Sequence, residues 1–358
     1  AEVAEIAVRR HDEQPAGIAR LDRPGGDQLG RQLEIEFGDL HRAGRRIGNG
    51  SMRVFIAGRR PGVILRIKQV DCAGDDRTQA NMSATAATAE TPSGKGAGDE
   101  NFPVGSLFLP ARLRPHVATF YAFARAIDDI ADNPALAPDD KVARLDGFDR
   151  ALLGETDDPA YAKAHAIRES LAATDVPVDH CRDLITAFKR DASKLRYDDW
   201  DDLMGYCRYS ASPVGRYLLD LHGESRDGWP ASDALCSLLQ VINHLQDCKD
   251  DYLTLDRVYL PADWLAAAGA TVADLDAPAA SPGLRRVIDQ CLDGVDDLVA
   301  RARALPGRLE SRRLAMESAA IIRLAEKLAA MLRARDPVAG RVALSKPGFL
   351  LYARSEEH

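Results

Sequence analysis

The sequence has little of what would place it in several large classes. Its six cysteines (Cys72, Cys181, Cys207, Cys236, Cys248 and Cys291) include no C-x-x-C pair and no zinc spacing. That excludes a disulfide scaffold and leaves reduced, mostly buried thiols. No run of about 18 apolar residues occurs, so nothing spans a membrane as a helix. Positive charge is not in excess: 47 Lys and Arg stand against 55 Asp and Glu, a net charge of −8. Nucleic-acid binding needs the opposite, a basic footprint. Aromatics make up only 6%, but 46% of the chain is apolar, which excludes a disordered or collagen-like chain. The first residues lack the layout of a signal peptide. The 358 residues allow two domains, or one large one with an appendage. The composition reads as a soluble, cytoplasmic, helical protein with an ample core.

The composition changes near residue 100. Residues 1–81 hold thirteen Arg but a single Lys, Lys68, with many Gly and no sustained period. Val54–Val70 could make two short strands around Arg60-Pro61-Gly62. Residues 82–100 are small, polar and low in complexity, the composition of a flexible linker. The chain does not begin with Met, whereas Met82 opens an ordinary-looking N-terminus. Residues 1–81 are therefore expected to be a poorly structured extension, from an over-extended reading frame or a processed leader. A small accessory domain is the alternative, and mass spectrometry of the natural N-terminus separates the two.

From residue 101 to 358 the period is helical. A helix after Pro110 carries Val117, Phe120, Ala124, Ile127 and Ala131 on one face. Pro138-Asp139-Asp140 starts another, because Pro is tolerated in the first turn and acids suit the positive end of the dipole. Further helices read as 158–173, 178–194, 200–222, 231–253, 282–304 and 309–334. The expected fold is all-α, a single helical bundle with a central cavity.

Two of these helices carry chemistry. In Y-A-F-A-R-A-I-D-D-I-A-D (121–132), Tyr121, Arg125, Asp128 and Asp132 form one stripe at i, i+4, i+7 and i+11. Asp128, Asp129 and Asp132 crowd the negative end of their helix. Like charges one turn apart cost a few tenths of a kcal/mol, and a divalent cation is the simplest offset. In Q-V-I-N-H-L-Q-D-C-K-D-D-Y (240–252), Gln240, Asn243, Asp247 and Asp251 again share a stripe. That helix begins apolar almost all round, so its polar stripe is expected to face an interior space. Carboxylates on opposite walls of a cavity suit Mg²⁺, which takes few protein carboxylates and fills its octahedron with water and phosphate oxygens. A diphosphate held there becomes a good leaving group.

With these motifs the chain resembles the squalene/phytoene synthase family of head-to-head isoprenoid enzymes. The resemblance covers about residues 100–350. It adds Asn101-Phe102-Pro103-Val104, Y-C-R-Y-S-A-S-P-V-G (206–215) and Asp256-Arg257-Val258-Tyr259-Leu260-Pro261. The form of these motifs is most similar to the bacterial hydroxysqualene-forming branch of hopanoid pathways. The resemblance implies that Asp128, Asp129 and Asp132 are one metal-binding motif and Asn243, Asp247 and Asp251 the other. It implies that Arg125 and Arg257 hold diphosphate, that Tyr121 and Gln240 line the site, that Phe102 faces the isoprenoid, and that Tyr206 is the site tyrosine. Two departures are Ser212, where many members have Gly, and one extra residue between Asp251 and Arg257. The implied reaction is Mg²⁺-assisted ionisation of presqualene diphosphate, rearrangement of the cation and capture by water to give hydroxysqualene. Condensation of two prenyl diphosphates, to presqualene diphosphate or phytoene, is the enzyme alternative. A non-catalytic helical Mg²⁺-binding scaffold is the alternative of another class. No G-x-G-x-x-G follows a strand, and Gly94-Lys95-Gly96 is not a P-loop.

Other residues read more plainly. Arg208 and Arg216 either reach the diphosphate or sit on the surface. Asp191, among Lys189, Arg190 and Lys194, reads as an exposed ion pair, with a cavity-facing place as the alternative. Asp198, Asp199, Asp201 and Asp202 read as helix-start acids, and His244 as a satisfied core histidine rather than a base. The stretch 321–332 reads as a core-facing amphipathic helix, with peripheral docking on a membrane surface as the alternative.

Overall fold

The structure, a computed structural model, describes residues 110–344, residues 89–90 and four short strands. The chain divides into two units, Ala1–Ser83 and Ala84–His358. In the first, β1 (Ala4–Arg9) pairs antiparallel with β2 (Pro15–Leu21), and β3 (Leu33–Glu34) with β4 (Arg53–Val54). The β1–β2 pair was not expected from the sequence. Of the strands expected within 54–70, only Val54 falls in β4; the rest lie outside the described residues.

The second unit is helical among its described residues. Its helices are α1 (Arg114–Ala131), α2 (Pro138–Leu153), α3 (Ala162–Thr174), α4 (Asp179–Asp191), α5 (Trp200–Ser210) and α6 (Ser212–His222). They are followed by α7 (Trp229–Gln246), α8 (Cys248–Leu255), α9 (Ala262–Ala267), α10 (Pro282–Ala302) and α11 (Arg312–Ala334). Helix α2 starts as its sequence dictates, with Pro138 and acids in the first turn, and ends at Gly154 with φ 78°. Asp199 caps α5 by accepting from the backbone N–H of Asp202 at 2.8 Å, so the helix-start reading of that acidic run holds.

Two expected helices are each two. The span 200–222 breaks at Ala211, because Pro213 has no N–H to continue the ladder and instead starts α6. The span 231–253 breaks at Asp247. There the backbone still bonds at helical spacing, Asp247 N–H to the Asn243 carbonyl at 3.0 Å and Asp251 N–H to the Asp247 carbonyl at 2.8 Å. The polar stripe therefore stays in phase across the break.

The interior is split. One hydrophobic cluster gathers Val117, Phe120, Phe123, Ile127, Leu145, Phe148, Ile167, Leu184 and Tyr217, from α1–α4 and α6. The other gathers Tyr206, Leu238, Val241, Ile242, Leu245, Val287, Leu292, Ala325 and Leu328, from α5, α7, α10 and α11. Ile322, Leu324, Ala325, Leu328 and Leu332 are buried, so α11 is the core helix that its pattern promised. No described helix is long and apolar enough to cross a membrane.

Candidate active site

The two acid rows stand on the two clusters, the first on α1 and the second on α7 and α8. All eight stripe residues, Tyr121, Arg125, Asp128, Asp132, Gln240, Asn243, Asp247 and Asp251, are half-buried, while their neighbours Phe123, Ile127, Ile130, Val241, Ile242 and Leu245 are buried. The stripes were expected to be fully interior. They instead sit where protein gives way to solvent, since a helix packed on one side leaves an adjoining stripe within reach of water.

The crowding of acids on α1 is relieved by cations. Arg125 lies 3.0 Å from Asp128 and 3.1 Å from Asp129, at i+3 and i+4. Lys141 Nζ donates to the carbonyl of Ala131 at 2.6 Å, a cation at the negative end of α1. Arg257 Nη1 donates to Asp132 Oδ1 at 2.8 Å. These three cations share the offset for which a divalent cation was the simplest candidate. The carboxyl that remains most strained is Asp128. Solvent reaches 27% of its side chain, yet burial, with Asp132 beside it, pushes its pKa well above the usual carboxylate range.

Arg257 ties the rows together. Its backbone N–H donates to the Asp251 carbonyl at 3.2 Å. Its side chain, 5% exposed, reaches Asp132, the Asp191 carbonyl at 3.2 Å and Tyr259 Oη at 3.3 Å. Burial works against its charge, but Tyr259, Asp191 and Asp132 outweigh it, and the guanidinium stays protonated. Just before Arg257, Asp256 takes φ 51° and turns the chain back. Arg196 holds that turn through Asp256, with Nη2 at 2.6 Å from Oδ1.

Behind Arg257 lies a polar and aromatic core. Tyr206 Oη donates to Asp191 Oδ2 at 2.7 Å. Asp191 is 2% exposed, so the exposed ion-pair reading was wrong and the residue faces the interior. Burial pushes its carboxyl up to about 7, against the pull of Arg257 and the Tyr206 hydrogen bond. The signal was present: Leu184, Ala187 and Asp191 fall at i, i+3 and i+7 on the buried face of α4. His244 stacks on Tyr259 with ring centroids 3.4 Å apart, and Gln240 Nε2 lies 3.1 Å from its Nε2. Burial, then Arg257, push the imidazole down to about 3, so it is a neutral core histidine as read.

Other residues fall away from the rows or escaped the sequence. Arg216 is committed to Asp233, with Nε 2.8 Å from Oδ1, and exposed Arg208 lies over the Tyr209 ring. Ser212 is buried at the start of α6. Phe102 lies outside the described residues. Arg341, 3.2 Å from Asp247, was not foreseen, because nothing in local spacing connects positions so far apart in the chain.

The donors along both rows are oxygen only, which suits a hard divalent cation rather than a soft one. Among the described residues no three acids, histidines or cysteines are drawn into a closed cluster. Oxygen atoms in such rows could hold a hard cation together with phosphate oxygens of a ligand.

A family model described as squalene/phytoene synthase matches residues 96–347. The hydroxysqualene synthase of Rhodopseudomonas palustris is 45% identical over 262 residues, 73% of this chain and 89% of that protein. That of Zymomonas mobilis is 45% identical over 256 residues, 71% and 86% respectively. Among solved structures, squalene synthase HpnC from Alicyclobacillus acidocaldarius is 38% identical with a TM-score of 0.57, covering 64% of this chain and 87% of that one. A dehydrosqualene synthase, 22% identical with a TM-score of 0.59, covering 69% and 86%, shares the fold. With the family's motifs in place on α1, α5–α6 and α7–α8 and the match running over most of its length, the chain belongs to the squalene/phytoene synthase family.

Proposed function

We propose that this chain is a hydroxysqualene synthase, converting presqualene diphosphate to hydroxysqualene. One observation carries the reading beyond sequence likeness. Arg257 reaches Asp132 with its side chain while its backbone bonds Asp251, so two acid rows on separate cores stand within one arginine of each other.

In this reading Asp128, Asp129 and Asp132 on one side, and Asn243, Asp247 and Asp251 on the other, hold Mg²⁺. Bound there, Mg²⁺ would neutralise the charge that collects on the diphosphate as its bond to carbon breaks. Arg125 and Arg257 orient the diphosphate by charge-assisted hydrogen bonds, exchanging part of their present carboxylate contacts for phosphate oxygens. Tyr121 and Gln240 line the site, and Phe102, by the family resemblance, would contact the isoprenoid. Half-buried Tyr121 offers a π-face to a C30 cation, while the rings of Tyr206, Tyr197 and Tyr259 pack on one another 5.4–5.6 Å apart. Tyr206 keeps its proton, because burial raises the phenol well above its ordinary value. It therefore serves as a donor and not as a base.

The purified chain with Mg²⁺ and presqualene diphosphate, without NADPH, is expected to release diphosphate and form a hydroxylated C30 product. Turnover of farnesyl diphosphate alone would assign it to the condensing enzymes instead. No turnover of either, with stability unchanged in Asp128→Ala, would assign it to a scaffold.

A further inference from the structure

Three polar atoms behind Arg257 are buried and have no hydrogen-bond partner among the described residues: Asp191 Oδ1, Tyr197 Oη and Arg257 Nε. Their residues are 2%, 1% and 5% exposed. Buried polar groups are rarely left unpaired, because each costs about 1–3 kcal/mol. Three together in one neighbourhood are not three accidents. Arg257 Nη2 donates to the Asp191 carbonyl at 3.2 Å. Tyr197 stacks on Tyr259, which itself accepts from Arg257 Nη1 at 3.3 Å. The segments are pinned side by side by the Val258 N–H to Leu195 carbonyl bond, 3.0 Å, and the Arg196–Val258 bridge.

The set is complementary. Arg257 Nε is a donor, Asp191 Oδ1 an acceptor when ionised, and Tyr197 Oη either. One buried water typically makes about three hydrogen bonds to such groups. Asp191 is also the group that Tyr206, the site tyrosine, holds in place through its other oxygen. Resting on the reading above, we propose that Asp191, Tyr197 and Arg257 hold the water that captures the carbocation, and that Asp191 takes its proton.

The step balances. A lone pair of the water oxygen forms the new C–O bond to the cationic carbon. One O–H bond breaks, its electron pair stays on oxygen, and the proton passes to Asp191 Oδ1. The neutral acid later returns that proton to solvent. Burial brings the Asp191 carboxyl to about 7, where both protonation states are populated near neutral pH. Arg257 Nε donates to the water and leaves its lone pair free to face carbon.

The test separates capture from ionisation. Full-length Asp191→Asn and Tyr197→Phe are given Mg²⁺ and presqualene diphosphate, and hydroxysqualene is counted per diphosphate released. The Asp191→Asn ratio is expected to fall by about tenfold or more, with rearranged or eliminated C30 products making up the difference. Tyr197→Phe, which removes one hydroxyl, serves if Asp191→Asn does not fold, and its ratio is expected to fall in the same direction. A wild-type ratio in either folded variant overturns the proposal. A wild-type chain that releases no diphosphate overturns the functional reading instead. A crystal structure of the wild-type chain then decides the water site. An ordered water bonded to Asp191 Oδ1, Tyr197 Oη and Arg257 Nε supports it, and direct pairing of those atoms with one another overturns it.

Discussion

Arg257 and Asp191 show how far a single residue can depart from what its local sequence announces. The positive residues around Asp191 disguised it as surface, although its phase with Leu184 and Ala187 puts it inside. Its titration has a definite sign. An acid whose folded pKa, about 7, lies above its unfolded value of 3.8 makes the folded state bind more protons between those limits. Its contribution to stability is present below about pH 4 and lost as pH rises to about 7. His244, pushed down from 6.5 to about 3, runs the other way: its contribution is present above 6.5 and lost as pH falls toward 3. The groups facing Asp191 are Arg257, Tyr206, Asp132 and Lys141. The wild-type profile between pH 4 and 6.5 is therefore flattened by opposed slopes. Asp191→Asn should gain on wild type steadily from pH 4 to 7 and no further above it, measured as the difference in urea midpoint. A difference that does not change with pH would show that Asp191 is ionised throughout.

At the scale of elements, the helices followed their apolar period and the two stripes could be read from spacing alone. The breaks could not be read as easily. Pro213 announced the one at Ala211 in retrospect, whereas nothing so plain as a proline or glycine marks the one at Asp247. The relief of the acids on α1 was half visible: Arg125 stands at i+3 and i+4 to two of them, while Lys141 and Arg257 arrive from other segments. Gly215 was part of a motif, and the structure gives its reason. A Cβ there would stand 2.6 Å from Cys236 Sγ and closer still to Ser232 Oγ, so α6 meets α7 at this point without room for a methyl group. Replacing Gly by Ala in a helix is worth up to about 1 kcal/mol, but overpacking costs about 1–3 kcal/mol. Gly215→Ala should therefore be destabilising by roughly 1–2 kcal/mol. Gly205, mid-helix in α5 with nothing within 4 Å of where a methyl group would stand, should gain by roughly 0.5–1 kcal/mol as Gly205→Ala. Denaturant midpoints of the two variants, on opposite sides of wild type, check the contrast.

For the molecule as a whole, the family and the helical class were legible because its motifs are long and fixed in order. The strands of the first unit and the Arg341–Asp247 pair were not, since both depend on pairings that no local window contains. If the two rows hold a metal-bound diphosphate together, Mg²⁺ with inorganic diphosphate should stabilise the fold far more than either alone. At a hundredfold excess over Kd the gain is about 2.7 kcal/mol, roughly 5–10 °C in Tm for a domain of this size. The shift should vanish in Asp128→Ala and in Asp251→Ala; a shift that survives both would place the ligand elsewhere. The divided interior has a consequence for redesign. Repacking one half, for instance around Val287 and Leu292, leaves the acids mounted on the other half in register. Each acid row can therefore be perturbed from beneath, one at a time, through the packing of its own half.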